Sequence, residues 1–179
     1  MKLLKIIILS AFVLTFISCK EQKLKDIDYI KEMEAKTFSP NSVKIDTKLA
    51  NELISVYEKF SSDYPDDSLS ANYLFKAGEI SMSINDGNKA LLFFETYQKK
   101  FPELKKAPHC LFLQGFVYEN HLKDTANARK KYQYFLEKYP THELAKDASA
   151  SIELLGKSTE EIIRIFEERQ KQQAQTPEK

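Results

Sequence analysis

Residues that interrupt regular structure are scarce in this chain. Only 4 Gly and 6 Pro occur among its 179 residues, and Trp is absent. An all-β protein needs many turns, and turns draw on Gly and Pro, so this composition argues against an all-β fold and favours long helices. The length is sufficient for one domain with a substantial core. We therefore predict an all-α protein.

Disulfide frameworks and strongly charged surfaces are also missing. Of the two cysteines, Cys110 lies in an apolar helical stretch, which is typical of an inert, buried thiol. The formal net charge is +1, and charges of both signs are mixed along the chain. Because no basic stripe and no acidic tail occur, the sequence predicts no nucleic-acid partner.

Motifs for catalysis are absent as well. The chain has neither a Gly-rich phosphate loop nor a nucleophile elbow. His109, His121 and His142 are far apart and lack partners at metal-ligand spacing, so we predict no metal, no cofactor and no small-molecule substrate. The prediction is a protein that is not an enzyme. A hydrolase with an unrecognised site is the alternative, which acids or histidines clustered in the folded groove would revive.

A long hydrophobic run occurs at the amino terminus. "MKLLKIIILSAFVLTFISC" joins two lysines to 12 apolar or small residues, at positions 6–17, and then to Ser18 and Cys19. This order is typical of a secretory signal. The run is shorter than the roughly 20 residues that span a bilayer comfortably. The sequence therefore predicts export.

The last four residues of this segment, "FISC", resemble the lipobox of bacterial lipoproteins, with Phe16 where Leu is usual. The resemblance implies a cleaved signal peptide over residues 1–18 and a diacylated Cys19 as the mature N-terminus. An ordinary signal peptide and an uncleaved N-terminal anchor are the alternatives. Lys20 stands where inner-membrane retention signals carry Asp, which favours the outer membrane, with the domain facing the periplasm.

One aromatic-proline ending is written three times, 37 to 38 residues apart, as "YEKFSSDYP", "FETYQKKFP" and "YQYFLEKYP". Steps of three and four residues place the aromatic side chains of each copy on one helical face, and the Pro ends the helix. The aromatic residues eight, five and one before each Pro are Tyr57, Phe60 and Tyr64, then Phe94, Tyr97 and Phe101, then Tyr132, Phe135 and Tyr139.

A second pattern, Leu-Phe-x-x-Gly, ends 13 residues after two of these prolines, at Gly78 and Gly115. Gly within a helix costs about 1 kcal/mol relative to Ala, so its recurrence at one register indicates a close contact between helices. Ala90 and Ala128 precede the aromatic stripes and likewise leave room for a neighbouring helix. Each unit is therefore predicted to be a helical hairpin closed by Pro.

This pattern resembles the tetratricopeptide repeat. Its signature positions are carried by Leu111, Gly115, Tyr118, Ala128, Tyr132 and Pro140, and by Leu74, Gly78, Ser81, Ala90, Phe94 and Pro102. The resemblance covers residues 47–169 and implies a right-handed solenoid of antiparallel helix hairpins. The long loops after each Pro are similar to those of the outer-membrane assembly lipoproteins (BamD-like) and of cell-division coordinators.

The rest of the chain divides around this domain. Residues 19–46 are predicted to form a polar tether with one short helix, "DYIKEMEAK". Ser158 opens a capping box, which predicts a C-terminal capping helix within residues 47–169. Residues 170–179, "QKQQAQTPEK", are predicted to be a disordered tail.

In tetratricopeptide proteins the first helix of each hairpin lines a concave groove. Carried over to this chain, that register implies a partner-binding groove lined by Asn72, Phe75, Glu79, Met82, His109, Phe112, Phe116 and Glu119. Phe112 and Phe116, four residues apart, would form its apolar strip. The alternative is that these aromatic residues pack inside the fold.

The sequence thus predicts a lipid-anchored periplasmic scaffold that binds protein partners. The resemblance favours a role in outer-membrane protein assembly, with the assembly machinery as partner. The alternative is a scaffold for the envelope or for cell division that contacts peptidoglycan-associated partners.

Overall fold

A computed structural model describes the backbone of residues 2–39 and 44–175, and the side chains of residues 20–39 and 44–171. The helices are α1 Lys2–Thr37, α2 Thr47–Asp63, α3 Ser68–Ser83, α4 Gly87–Lys100, α5 Ala107–Asn120, α6 Thr125–Lys138, α7 Ala145–Leu154 and α8 Thr159–Gln175. No strand occurs in these described ranges. The all-α class predicted from the sequence is confirmed. The chain forms two compact units, Met1–Asp86 and Gly87–Lys179.

In the first unit, α1 packs against α2. Ile30, Met33 and Thr37 are buried, although the sequence indicated a polar tether with a short helix in this region. The helix instead runs unbroken to Thr37. Its apolar residues recur every three to four positions, which makes one narrow face that α2 covers. This segment is therefore part of the folded unit rather than a free linker.

Polar contacts fix α1 further. Glu34 Oε1 accepts hydrogen bonds from the Tyr57 hydroxyl at 2.5 Å and from Lys76 Nζ at 2.6 Å, so one carboxylate joins α1 to both α2 and α3. Asp26 accepts from the Tyr64 hydroxyl at 2.7 Å. Partial burial acts to raise the pKa of Glu34, but the hydrogen bonds from Lys76 and Tyr57 outweigh it and hold that pKa below its ordinary value.

Helix α2 packs on α3 through the first aromatic stripe. Tyr57 and Phe60 are buried, and Tyr73 of α3 stacks on Tyr57 with ring centroids 5.0 Å apart. Asp46 and Asp67 cap the N-termini of α2 and α3 by accepting hydrogen bonds from backbone N–H groups. The first copy of the repeated ending therefore builds a core as the sequence predicted.

In the second unit, α4, α5, α6 and α7 pack in sequential pairs. The buried side chains that share the predicted register are Ala90, Phe94, Tyr97, Ala128, Tyr132 and Phe135. Gly115 lies against Tyr132, because a Cβ at Gly115 would come within 2.6 Å of the Tyr132 ring. The close contact predicted from the recurring glycine is thus present between α5 and α6.

Helix α8 begins with the predicted capping box. The Ser158 N–H donates to Glu161 Oε2 at 2.8 Å, and the Glu161 N–H donates to Ser158 Oγ at 3.2 Å. The preceding loop turns at Gly156, whose φ of 79° is a conformation that favours glycine. The helix continues to Gln175, so most of the segment predicted to be a disordered tail is helical.

The predicted signal peptide and the lipidation of Cys19 concern side chains outside the described set, and residues 176–179 of the predicted tail also lie outside it. Within the described residues, no helix combines the length and the apolar character needed to traverse a bilayer. Cys110 is buried as a free thiol, which confirms the prediction for this residue.

Candidate functional site

The four groove residues predicted on α3 differ in exposure. Phe75 is buried, with 7% of its surface exposed, so it contributes to the core rather than to a binding surface. Asn72 and Met82 are half-buried and Glu79 is exposed. Glu79 also borders a pocket of about 260 Å³ that Phe38, Tyr57 and Lys76 help to line. The α3 half of the predicted surface is therefore mainly polar.

The two phenylalanines predicted as an apolar strip on α5 take different positions. Phe112 is half-buried and packs against the α6 stripe, with its ring centroid 5.5 Å from Tyr132 and 5.8 Å from Phe135. Phe116, one turn later, is an exposed large hydrophobic residue. Its ring lies 6.1 Å from that of His121. The alternative of internal packing thus describes Phe112, whereas Phe116 faces solvent.

Glu119 is engaged within the hairpin. Its Oε2 accepts a hydrogen bond from the Tyr132 hydroxyl at 2.8 Å. Burial, and then this bond, raise the pKa of Tyr132 well above its ordinary value. Glu119 therefore holds Tyr132 in place. The remaining lone pairs of its carboxylate can accept hydrogen bonds from a partner.

Beside this surface lies a buried network of polar side chains that the sequence does not predict. Gln114 is fully buried, donates to Gln98 Oε1 at 2.7 Å and accepts from Lys131 Nζ at 2.6 Å. Lys131 also pairs with Glu95 at 3.1 Å. The network joins α4, α5 and α6, and its satisfied hydrogen bonds specify how these helices meet. A helical apolar pattern contains no signal for such a contact.

His109 is the first residue of the predicted α5 surface. The fold brings a second histidine, His142, close to it. The rings of His109 and His142 lie 5.1 Å apart in an edge-to-face arrangement. His109 Nε2 is 3.5 Å from Glu143 Oε1, while His109 Nδ1 is buried without a hydrogen-bond partner. Because 33 residues separate the two histidines along the chain, their spacing does not predict this contact.

Another feature absent from the sequence analysis is a groove between α1 and α2. It has a volume of about 270 Å³ and a mainly apolar lining that includes Tyr29, Ile30, Val56 and Phe60. Tyr29 is exposed. The groove follows from the packing of α1, so a sequence reading that treats α1 as a tether cannot predict it.

Comparison with known proteins bears on the predicted α5 surface. Residues 109–142, which cover most of α5 and all of α6, match the family model described as a tetratricopeptide repeat. No curated protein matches the chain. The matched segment starts at His109 and includes Phe112, Phe116 and Glu119. Repeats of this kind generally mediate contacts between proteins, and the fold is typically that of a scaffold without catalytic activity. The match covers about a fifth of the chain, and together with the all-α fold and the recurring buried aromatic stripes it supports a tetratricopeptide-like arrangement of helices.

Proposed function

We propose that this protein is a lipid-anchored scaffold of the bacterial envelope that binds a protein partner through the exposed side of α5. The observation that carries the proposal is the tetratricopeptide match over residues 109–142, because repeats of this kind generally mediate contacts between proteins. Phe116 is the anchor of the proposed surface, since it leaves a large apolar ring exposed on this helix.

The flanking residues suit a polar rim around that anchor. Asn120 is exposed one turn after Phe116, where its side chain donates to the Phe116 carbonyl at 3.1 Å. Glu119 is half-buried on the same turn. An aromatic anchor within polar neighbours fits an amphipathic segment of a partner better than it fits a small molecule. The partner is therefore proposed to present an apolar side chain to Phe116.

The membrane anchor is supported by the "FISC" segment and the apolar run before it. The packing of α1 sets the distance between the proposed lipid and the folded unit. Lys23 pairs with Asp67 of the same unit, and it follows Cys19 by four residues, which is about 6 Å of helix. A lipid on Cys19 would therefore hold this unit close to the bilayer surface.

Replacement of Cys19 by Ser tests the anchor. We expect Cys19→Ser to abolish metabolic labelling with a fatty acid and to move the protein from a lipidated form to an unlipidated one, because the thioether is the attachment point. The measurement is fatty-acid incorporation into the protein immunoprecipitated from cells. Cys110→Ala is the matched control and should label normally, since Cys110 is buried. Unchanged labelling of Cys19→Ser would refute lipidation.

The favoured biological role is outer-membrane protein assembly. It is supported by the resemblance of the long-loop repeats to those of outer-membrane assembly lipoproteins. Affinity purification of the full chain in mild detergent, compared with Phe116→Glu, tests it. We expect components of the assembly machinery to be recovered with the wild type and reduced at least about fivefold with the variant.

Other recoveries would change the assignment. If peptidoglycan-associated or division proteins were enriched instead, and were lost with Phe116→Glu, the surface would stand and the role in assembly would be wrong. If no protein depended on Phe116, the proposed surface itself would be wrong.

A further inference from the structure

The open end of the α5–α6 hairpin, where α5 begins and α6 ends, carries a cluster that the proposed scaffold function does not use. One ligand atom from each of His109, His142 and Glu143 can be chosen so that all three lie within 4.8 Å of one another. His109 belongs to the first turn of α5, and the other two residues lie in the turn between α6 and α7. The fold therefore joins two imidazoles and one carboxylate from segments that are distant in sequence.

The spacing of His109 and Glu143 suits two ligands of one metal ion better than it suits a direct hydrogen bond. Two ligand atoms that each lie about 2.1 Å from a tetrahedral zinc ion are about 3.4 Å apart. His109 Nε2 and Glu143 Oε1 are 3.5 Å apart, which is longer than most N–H···O hydrogen bonds. The Glu143 side chain is largely exposed, so it can adjust to an ion without moving the backbone.

The His142 ring is held in place by its surroundings. Phe135 packs edge-to-face against it, with ring centroids 5.6 Å apart, and Tyr139 lies 6.4 Å away. Phe135 is itself fully buried in the α5–α6 core. A ligand ring fixed by packing loses little rotamer freedom when it binds an ion, which favours binding.

To bind a metal ion, each histidine must present a ring nitrogen that carries no proton. His142 Nδ1 accepts a hydrogen bond from the Leu144 N–H at 3.2 Å, so the neutral ring carries its proton on Nε2. Whichever nitrogen binds an ion, the bond to Leu144 is lost, because an ion at Nδ1 occupies the accepting lone pair and an ion at Nε2 moves the proton to Nδ1. At His109, the buried Nδ1 has no partner, so the tautomer that leaves Nε2 free for an ion carries an unpaired N–H, and ion binding must offset that cost.

We propose that His109, His142 and Glu143 bind one divalent transition-metal ion of the zinc type, with water completing the coordination. Two imidazoles and a carboxylate match the ligand preference of zinc and leave one open position. The ion would tie the start of α5 to the turn between α6 and α7. It would thereby stabilise the hairpin that carries Phe116, whatever partner that surface binds.

Zinc titration of the full chain tests the site. The protein is purified in detergent without a histidine tag, and Zn²⁺ binding is followed by calorimetry and by thermal unfolding. We expect one Zn²⁺ per chain and a rise in Tm of about 3 °C or more at saturation. His109→Ala and His142→Ala should each weaken binding by at least about tenfold. His121→Ala is the matched control and should bind as the wild type does.

Two further measurements keep the test independent of folding defects. Glu143→Gln changes an exposed side chain and should weaken Zn²⁺ binding about threefold or more with the metal-free Tm unchanged. In the NMR spectrum of the wild type, the Leu144 amide should shift on addition of Zn²⁺ because it loses its acceptor. Equal binding by the wild type and by the His109→Ala, His142→Ala double variant would overturn the proposal, as would no binding at millimolar Zn²⁺.

Discussion

Replacing Tyr132 by Ala should lower the free energy of unfolding of the second unit by about 3–5 kcal/mol. Tyr132 has no exposed surface and packs among Leu111, Ala128, Phe135 and Ala148. Its removal leaves a cavity beside Gly115, which cannot fill it because glycine has no side chain. Chemical denaturation of the purified variant, followed by far-UV circular dichroism, measures the loss.

Tyr134, two residues further along α6, is the control for this prediction. It is 51% exposed, so Tyr134→Ala should change stability by less than about 0.5 kcal/mol. Tyr132→Phe keeps the ring and loses the bond to Glu119, and it should cost about 1 kcal/mol. Similar losses for Tyr132→Ala and Tyr134→Ala would show that the aromatic stripe does not form the core.

The second large effect is expected at Glu34. Glu34→Ala removes the acceptor of the buried Tyr57 hydroxyl and the partner of Lys76, so it should destabilise the first unit by about 2–3 kcal/mol. Denaturant unfolding of the variant measures this change. Glu32→Ala is the matched control on the same helix, since the exposed pair of Glu32 with Lys36 is worth less than about 1 kcal/mol.

The contribution of Glu34 should depend on pH in a defined direction. The pKa of Glu34 lies below its ordinary value of 4.5 in the folded protein, so the unfolded chain binds more protons between the two values. The stabilisation is complete above about pH 4.5 and is lost as the pH falls through the folded pKa. The difference in stability between wild type and Glu34→Ala should therefore shrink on acidification. A difference that stayed constant down to pH 3 would contradict the ionised network.

The parts of the fold that follow from the spacing of residues along one helix were predictable from the sequence. Aromatic residues three and four positions apart can share only one helical face, so the burial of Tyr57, Phe94 and Tyr132 follows from their spacing. The ending at Pro and the capping box at Ser158 are equally local. These features need no knowledge of which helices meet.

Features that depend on helix contacts were not predictable. Charged residues interrupt the apolar pattern of α1, so the sequence does not show that this helix packs on α2. Glu34 has a structural role only because Tyr57 and Lys76 donate hydrogen bonds to it in the folded protein. Phe112 and Phe116 lie on the same stripe of α5, and the α6 ring stack covers Phe112 while Phe116 is left exposed. Nothing local in the sequence distinguishes these two phenylalanines.

The histidine cluster was not predictable from the sequence for a related reason. His109 and His142 come from different ends of the segment that matches the repeat, and their approach depends on how the α6–α7 turn folds back on α5. Spacing along the chain identifies metal ligands only when they share one helix or one short loop. Ligands contributed by two segments require the folded structure.

Site-specific photocrosslinking in intact cells tests the proposed partner surface most directly. A photoreactive amino acid is placed in turn at positions 116, 112 and 137, where Phe116 and Glu137 are exposed and Phe112 is half-buried. A defined adduct with another protein should form from position 116, with far less from 112 and none from 137 on α6. Equal adducts from 116 and 137, or adducts from neither, would contradict a binding surface centred on Phe116.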